Sequence, residues 1–205
     1  MNIKKKYRVI LIALLAFFMI WGILVAKFNL TIKKENQLMP IKKYENIGEW
    51  IPFGSNYMVD AYCDGYSIRI DDLRIVEYET YMEELLKLGY QEDSMQDINV
   101  QKVLEVEVTL KNEDNTDKGI DFLSTWLLGK DFYVVFSTKW FEAVNSLKDN
   151  SMGGIRLRTN TEYKLKLPYP LTELTYREKI GRKIEKEELW LCLTRYPQER
   201  WARVQ

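Results

Sequence analysis

The sequence predicts a mainly β domain, a two-sheet sandwich with a short helical insertion, standing behind a single transmembrane helix. Three observations predict it. An uncharged, proline-free apolar run extends from Val9 to Ala26 (VILIALLAFFMIWGILVA). Beyond it, short stretches alternate apolar and polar residues with the period of two of a half-buried strand. Turn formers such as Gly129-Lys130, Gly153-Gly154 and Pro168 separate those stretches, as in a sandwich of short strands.

The apolar run is read first. Lipid offers no water to backbone N–H and C=O groups, so a lone spanning segment satisfies them within itself as a helix. At about 1.5 Å per residue the run covers roughly 27 Å, against a hydrocarbon core of about 30 Å. Tyr7 and Phe28 flank it, where aromatic rings meet the two interfaces. A cleaved signal peptide would carry a shorter apolar core and a small-x-small site. Leu24-Val25-Ala26 matches that poorly, so retention is expected. Lys4, Lys5, Lys6 and Arg8 precede the run. The positive-inside rule then places the N-terminus in the cytoplasm and the C-terminal domain outside the cell membrane. The expected organisation is a basic tail over residues 1–8, a signal-anchor helix over 9–26, a tether over 27–47 and an extracytoplasmic domain over 48–205.

Charge divides along the same line. The 205 residues hold 30 basic and 30 acidic side chains. Residues 1–43 carry nine basic residues and one acid, leaving 21 basic and 29 acidic residues beyond, so +8 is followed by −8. A basic stem suits anionic lipid, and an acidic domain argues against nucleic acid. There is no histidine, which removes Ser-His-Asp and Cys-His catalysis, histidine metal sites and the near-neutral proton shuttle.

Taken in order, residues 27–47 are Lys-rich and aperiodic. Residues 48–65 are aromatic and broken by Gly48, Pro52, Gly54 and Gly65, an irregular opening to the domain. Residues 66–78 alternate as a strand that Asp71-Asp72 bends. A short helix over 79–88 puts Tyr81, Leu85 and Leu88 on one face and stops at Gly89. Residues 103–112 form the clearest strand, with Leu104, Val106, Val108 and Leu110 inward and Glu105, Glu107, Thr109 and Lys111 on the wet side. Residues 120–128 and 131–136 are two strands joined at Gly129-Lys130. Residues 138–147 make a helical turn.

Ile155 and Leu157 alternate with Arg156 and Arg158, and Tyr163, Leu165 and Leu167 with Lys164 and Lys166, up to a stop at Pro168 and Pro170. Residues 171–188 are highly charged, with a capping box at Thr175 and Glu178 or a hairpin at Gly181. Residues 189–196 (LWLCLTRY) are apolar on both faces, as in an interior strand.

Three of these stretches, VLEVEVTLKN (103–112), KLKLPYPL (164–171) and LWLCLTRYP (189–197), carry a resemblance. Together they are similar to an immunoglobulin-like extracellular domain family of unknown function, found in membrane-anchored proteins and lipoproteins of Gram-positive bacteria. The resemblance spans residues 66–197 and implies an immunoglobulin-like β-sandwich at the cell surface. It transfers no catalytic residue. No lipobox cysteine follows the apolar run here, so the helix itself is the expected anchor.

Candidate sites are few. Cys63 and Cys192 would both lie in an oxidising compartment. A bond between them would close a long loop and be worth about 4–5 kcal/mol. Two buried thiols are the equal alternative. Asp60 to Asp71 and Asp114 to Thr125 approach a calcium loop, but Tyr62 and Lys118 occupy ligand positions, so both are acidic turns and no metal is expected. The carboxylate pairs Asp71-Asp72, Glu83-Glu84 and Glu113-Asp114 sit in polar runs. No nucleotide-binding, cofactor or nucleophile motif occurs, and no enzyme activity or cofactor is expected.

Arg156, Arg158, Lys164 and Lys166 would form a basic stripe on adjacent strands, with Glu105 and Glu107 an acidic stripe on another. Pairing of the two stripes across strands is favoured. The sharper alternative is contact between the basic stripe and anionic wall polymer. Trp126, Trp140 and Trp190 read as core. Trp50 and Trp201, at the two ends of the domain, are anchors for a partner or edge packing. The resulting expectation is an anchored, non-catalytic interaction module, an accessory to a membrane protein or envelope complex. Its alternative is a wall-polymer binding module, with a histidine-free carboxylate enzyme acting through the paired acids as the remote third.

Overall fold

The computed structural model of the chain describes residues 14–29, 39–54, 63–91, 99–147, 153–177 and 183–205. In chain order its strands are β1 (Lys42–Tyr44), β2 (Trp50–Pro52), β3 (Tyr66–Glu77), β4 (Val100–Asn112), β5 (Ile120–Asp121) and β6 (Trp126–Leu128), then β7 (Tyr133–Val135), β8 (Gly154–Ile155), β9 (Thr161–Thr172), β10 (Trp190–Thr194) and β11 (Arg200–Arg203). The helices are α1 (14–29), α2 (Tyr78–Lys87) and α3 (Thr138–Val144), with a 3₁₀ turn at Ile184–Lys186.

Met1–Leu38 and Met39–Gln205 are two separate units. In the first, α1 carries exposed apolar side chains such as Phe17, Phe18, Ile20 and Trp21. Among the described residues no helix is long and apolar enough to cross a membrane. Residues 9–13 of the expected anchor lie outside the described residues, and the helix runs past Ala26 to residue 29.

The second unit is mainly β. Its sheets have the orders β1-β11-β10-β6-β7, β2-β3-β4-β9 and β5-β8. Alternation in the sequence explains how the first two meet. Ile68 and Ile70 of β3, Leu104, Val106, Val108 and Leu110 of β4 and Leu165, Leu167 and Tyr169 of β9 project from one face of the four-stranded sheet. Tyr44, Ala202, Leu191, Leu127 and Val134 are register partners across the five-stranded sheet. All share one hydrophobic core, a sandwich-like arrangement. Each large side chain buried there contributes about 1.5–3 kcal/mol.

Several expectations are corrected. Lys42–Tyr44, read as tether, is strand β1 and pairs in parallel with β11. Residues 120–128 are not one strand. After β5, Asp121 Oδ1 accepts the Leu123 N–H at 2.7 Å and Thr125 Oγ1 donates to Phe122 O at 2.6 Å, which turns the chain before β6. The hairpin at Gly129 does form, closed by Gly129 N–H to Phe132 O at 2.9 Å. The residues after Ile155 do not continue as strand: β8 ends there, so Arg156 and Arg158 lie outside any sheet.

Pro168 and Pro170 do not stop β9, which continues to Thr172 opposite β4. As an edge strand, β9 needs no N–H donors on its outer side. The bend in β3 is a register shift between Ile70 and Asp72, beside Asp71 as expected. Glu178 and Gly181, the cues read within 171–188, lie outside the described residues.

The outward face of β4 is wet only in part: Glu107 and Lys111 keep side chains partly exposed, whereas Glu105 and Thr109 are buried. The helix α2 buries Tyr81, Met82 and Leu85 against Val103, and Trp140 of α3 joins them in a second apolar cluster. Glu105, next to Val103 in the strand, is 0 % exposed as a result. It survives there because cations reach it. Arg74 Nη2 lies 2.9 Å and Lys166 Nζ 3.3 Å from Glu105 Oε1. Arg74 also holds Glu84 of α2 in a two-pronged contact at 2.8 and 3.0 Å, so one guanidinium fastens the helix to the sheet.

Candidate functional site

The outward face of the five-stranded sheet carries the most distinctive surface. Strand register fixes what it displays. Lys43, Trp201, Cys192, Trp126 and Val135 are successive partners across five strands, and Arg203, Trp190, Leu128 and Tyr133 across four. With a period of two, every one of these side chains points away from the core. The face is therefore built from three tryptophans and a tyrosine, edged by aliphatic and cationic groups.

The rings are ordered by contact with one another and with the cations. Trp126 and Tyr133 stack at 4.8 Å with an interplanar angle of 19°. The Arg195 guanidinium lies 3.9 Å over Trp126. Lys43 Nζ sits 4.7 Å over Trp190 and 5.0 Å over Trp201. Trp201 is held from below, its Nε1–H donating to Glu199 Oε1 at 2.8 Å. Such cation–ring contacts are worth about 0.5–1 kcal/mol each at exposed sites. Among the described residues neither Lys43 nor Arg195 has a carboxylate partner. Among the described residues their hydrogen-bonding groups meet only rings, which leaves them open to a ligand. Tyr133 and Val135 are each 51 % exposed, so the rim is accessible.

Cys192 lies beneath this layer and Cys63 elsewhere in the domain, and both are free, buried thiols. The disulfide reading is thus replaced by its alternative. Burial, with Asp64 and Asp121 nearby, pushes the Cys63 thiol up to about 12. Burial and the neighbouring Glu199 do the same for Cys192, also to about 12. Neither is a nucleophile at neutral pH.

The basic stripe is not assembled. Lys166 is spent on Glu105 and on Glu107, 3.6 Å away, the cross-strand pairing that was favoured. Arg156 donates to Thr116 O at 2.5 Å from a loop. Arg158 is exposed beyond β8, and Lys164 stands exposed on β9. Lys164 and Lys166 line a cleft of about 290 Å³ with Asp71, Glu107, Asn145 and Tyr163, a lining of mixed sign. Trp50 and Trp201 are on different sheets. Trp50, on β2, is covered by Arg69 at 4.9 Å and Lys111 at 5.7 Å. No group of three metal-ligating side chains occurs among the described residues.

Trp126, Tyr133, Lys43 and Arg195 are the members of the aromatic face that reading the sequence missed. Trp126 passes for core because its run is apolar on both sides; Trp190, read as core, is buried, with Lys43 and Trp201 against it on this face. The one legible signal was the hairpin at Gly129, whose register sets Leu128 against Tyr133 and Trp126 against Val135.

Fold and surface together define a mainly β domain whose one sheet face is aromatic and cationic. The chain belongs to the family described as a domain of unknown function (DUF5028), whose model matches residues 41–200. That match opens one residue before β1. No curated protein and no solved structure matches the chain.

Proposed function

We propose that this chain is an extracytoplasmic binding module, anchored in the cell membrane through the apolar run from Val9 to Ala26, which presents the outward face of its five-stranded sheet to a protein partner. On this reading the domain is an immunoglobulin-like sandwich and the protein serves as an accessory to a membrane protein or envelope complex. One observation carries the proposal: the outward layer of Trp126, Tyr133 and Trp201 with Arg195 and Lys43, packed over the buried Trp190. Tryptophan, tyrosine and arginine are the side chains that dominate binding energy at protein interfaces. A sheet face holds them rigidly, so little side-chain entropy is lost on contact. The wall-polymer alternative loses support, because Lys166 and Arg156 are already engaged within the domain.

The test is photo-crosslinking in living cells from positions Trp201 and Tyr133, with Leu174, 88 % exposed, as the reference site. Recovery of one membrane protein from the first two and not from Leu174 is expected. Equal recovery from all three, or from none, overturns the proposal. Changing Trp126 and Trp201 together to alanine is expected to lower recovery at least tenfold, each large anchor being worth about 2 kcal/mol or more.

A further inference from the structure

The free edge of β9 carries an inference that goes beyond the aromatic face, which belongs to the other sheet. Lys166 N–H donates to Asn145 Oδ1 and Lys166 O accepts from Asn145 Nδ2, both at 2.9 Å. The Asn145 amide therefore occupies the place of a neighbouring strand. It also shows that the backbone groups of Lys166 point away from β4. Because that direction alternates along an antiparallel strand, those of Glu162, Lys164, Pro168 and Pro170 point the same way. Pro168 and Pro170 have no N–H, and Pro168 O is taken by the Ser137 N–H at 3.0 Å. From residue 166 to 170 the edge is closed, as native sheets close edges against unwanted pairing.

Residues 162–164 are left open. Among the described residues, no hydrogen bond reaches the outward N–H and C=O of Glu162 or Lys164, and neither side chain has an ion pair. Both are exposed, and Tyr163 between them is 42 % exposed. The order Glu-Tyr-Lys is self-complementary when run antiparallel to itself. With Tyr163 on the two-fold axis, Glu162 of one copy stands opposite Lys164 of the other, and the reverse. Glu162 and Lys164 are the outward-pointing residues, so these become the hydrogen-bonded pairs, and Tyr163 against Tyr163 becomes the non-hydrogen-bonded pair between them. Backbone direction, side-chain charge and symmetry all select the same register. Opposite charges directly across a ladder stabilise it, and like charges oppose it.

We propose that this edge binds a second copy of the chain, pairing β9 with β9 through residues 162–164 and joining the two four-stranded sheets into one. The contact is short, and Asn145 and the prolines end it on each side. It is thus a specific and reversible contact rather than a permanent interface.

A cysteine at the axis tests this. A non-hydrogen-bonded antiparallel pair has α-carbons about 4.5 Å apart, inside the range that a disulfide bridges. Both native cysteines are buried, so Tyr163→Cys adds an accessible thiol on a quiet background. The full-length Tyr163→Cys chain, mildly oxidised in detergent solution, is expected to form a disulfide-linked dimer, and Leu174→Cys is not.

In the Tyr163→Cys background, Lys164→Pro removes one ladder donor from an edge that already carries two prolines, and is expected to abolish the linked dimer. Glu162→Lys sets lysine against lysine and is expected to lower dimer yield about tenfold, with Glu162→Lys plus Lys164→Glu restoring it. Circular dichroism of each variant confirms the fold. A Tyr163→Cys yield no greater than that of Leu174→Cys overturns the inference. So does a yield that Lys164→Pro or Glu162→Lys leaves unchanged. Neither result bears on crosslinking from Trp201, which reads the opposite sheet.

Discussion

Replacing Arg74 by methionine separates the two ends of the contact that fastens α2 to the four-stranded sheet. Methionine keeps most of the apolar stem and removes the guanidinium. At the outer end Arg74 holds Glu84, whose side chain is 41 % exposed. A pair as solvated as that is worth no more than about 1 kcal/mol. At the inner end Arg74 donates from Nε at 3.2 Å and from Nη2 at 2.9 Å to Glu105, which is 0 % exposed. Hydrogen bonds to a charged group contribute about 1.5–3 kcal/mol each. Stripping the partner from a buried ion costs about 3–5 kcal/mol.

Lys166 remains 3.3 Å from the carboxylate and moderates that loss. Both ends together give about 3 kcal/mol. For a domain of this size the melting temperature then falls by roughly 6–12 °C. The reading also requires a compensating variant. Arg74→Met combined with Glu105→Leu leaves no buried charge and releases Lys166 to Glu107, so the double variant is expected to be about 2 kcal/mol more stable than Arg74→Met alone. Urea denaturation of residues 39–205, within which every strand finds its partners, measures both. A loss below about 1 kcal/mol for Arg74→Met, or additive losses in the double variant, would show that Glu105 does not depend on Arg74.

Three further outcomes are expected. The Arg74 hydrogen bonds hold the Glu84 carboxyl below its usual range. The pair therefore stabilises the fold above the ordinary glutamate value of about 4.3 and is lost as pH falls through the lowered one, a difference of less than about 1 kcal/mol that Arg74→Met should erase in melts between roughly pH 5 and 3. Cys63 and Cys192, buried and with thiols pushed up to about 12, should resist alkylation at pH 8 and react together in urea, while oxidant leaves the melting temperature unchanged; labelling of the native protein would place one of them at the surface. Asn145→Ala removes two hydrogen bonds to Lys166 and one to Phe141 O; a loss of about 2–3 kcal/mol is expected, with faster amide exchange at Lys166, and unchanged exchange there would mean another group closes that edge.

The sequence alone determined what depends on local periodicity. The apolar residues of β4 recur every second position from Leu104 to Leu110, and that alternation dictates both a strand and its buried side. Helix α2 was legible from the spacing of Tyr81 and Leu85 and from Gly89, which takes a φ of +90°. The hairpin at Gly129 and the interior strand at 190–194 were legible for the same reason.

What only the tertiary structure decided is which neighbour a face meets. β1 and β11 have no alternation to announce them. They exist because long-range pairing holds them: β11 lies between β10 and β1, and β1 forms the sheet edge against it. Glu105 sits on a polar face by its period, yet α2 folds over it and turns a wet position into a buried ion. Trp126 sits in a run that looks like core, yet its register aims it outward into an aromatic layer; Trp190 faces the same way and is buried all the same, because Lys43 and Trp201 pack against it. Period tells a side chain which way to point, but exposure is set by what long-range pairing brings to that side, and no local pattern contains it.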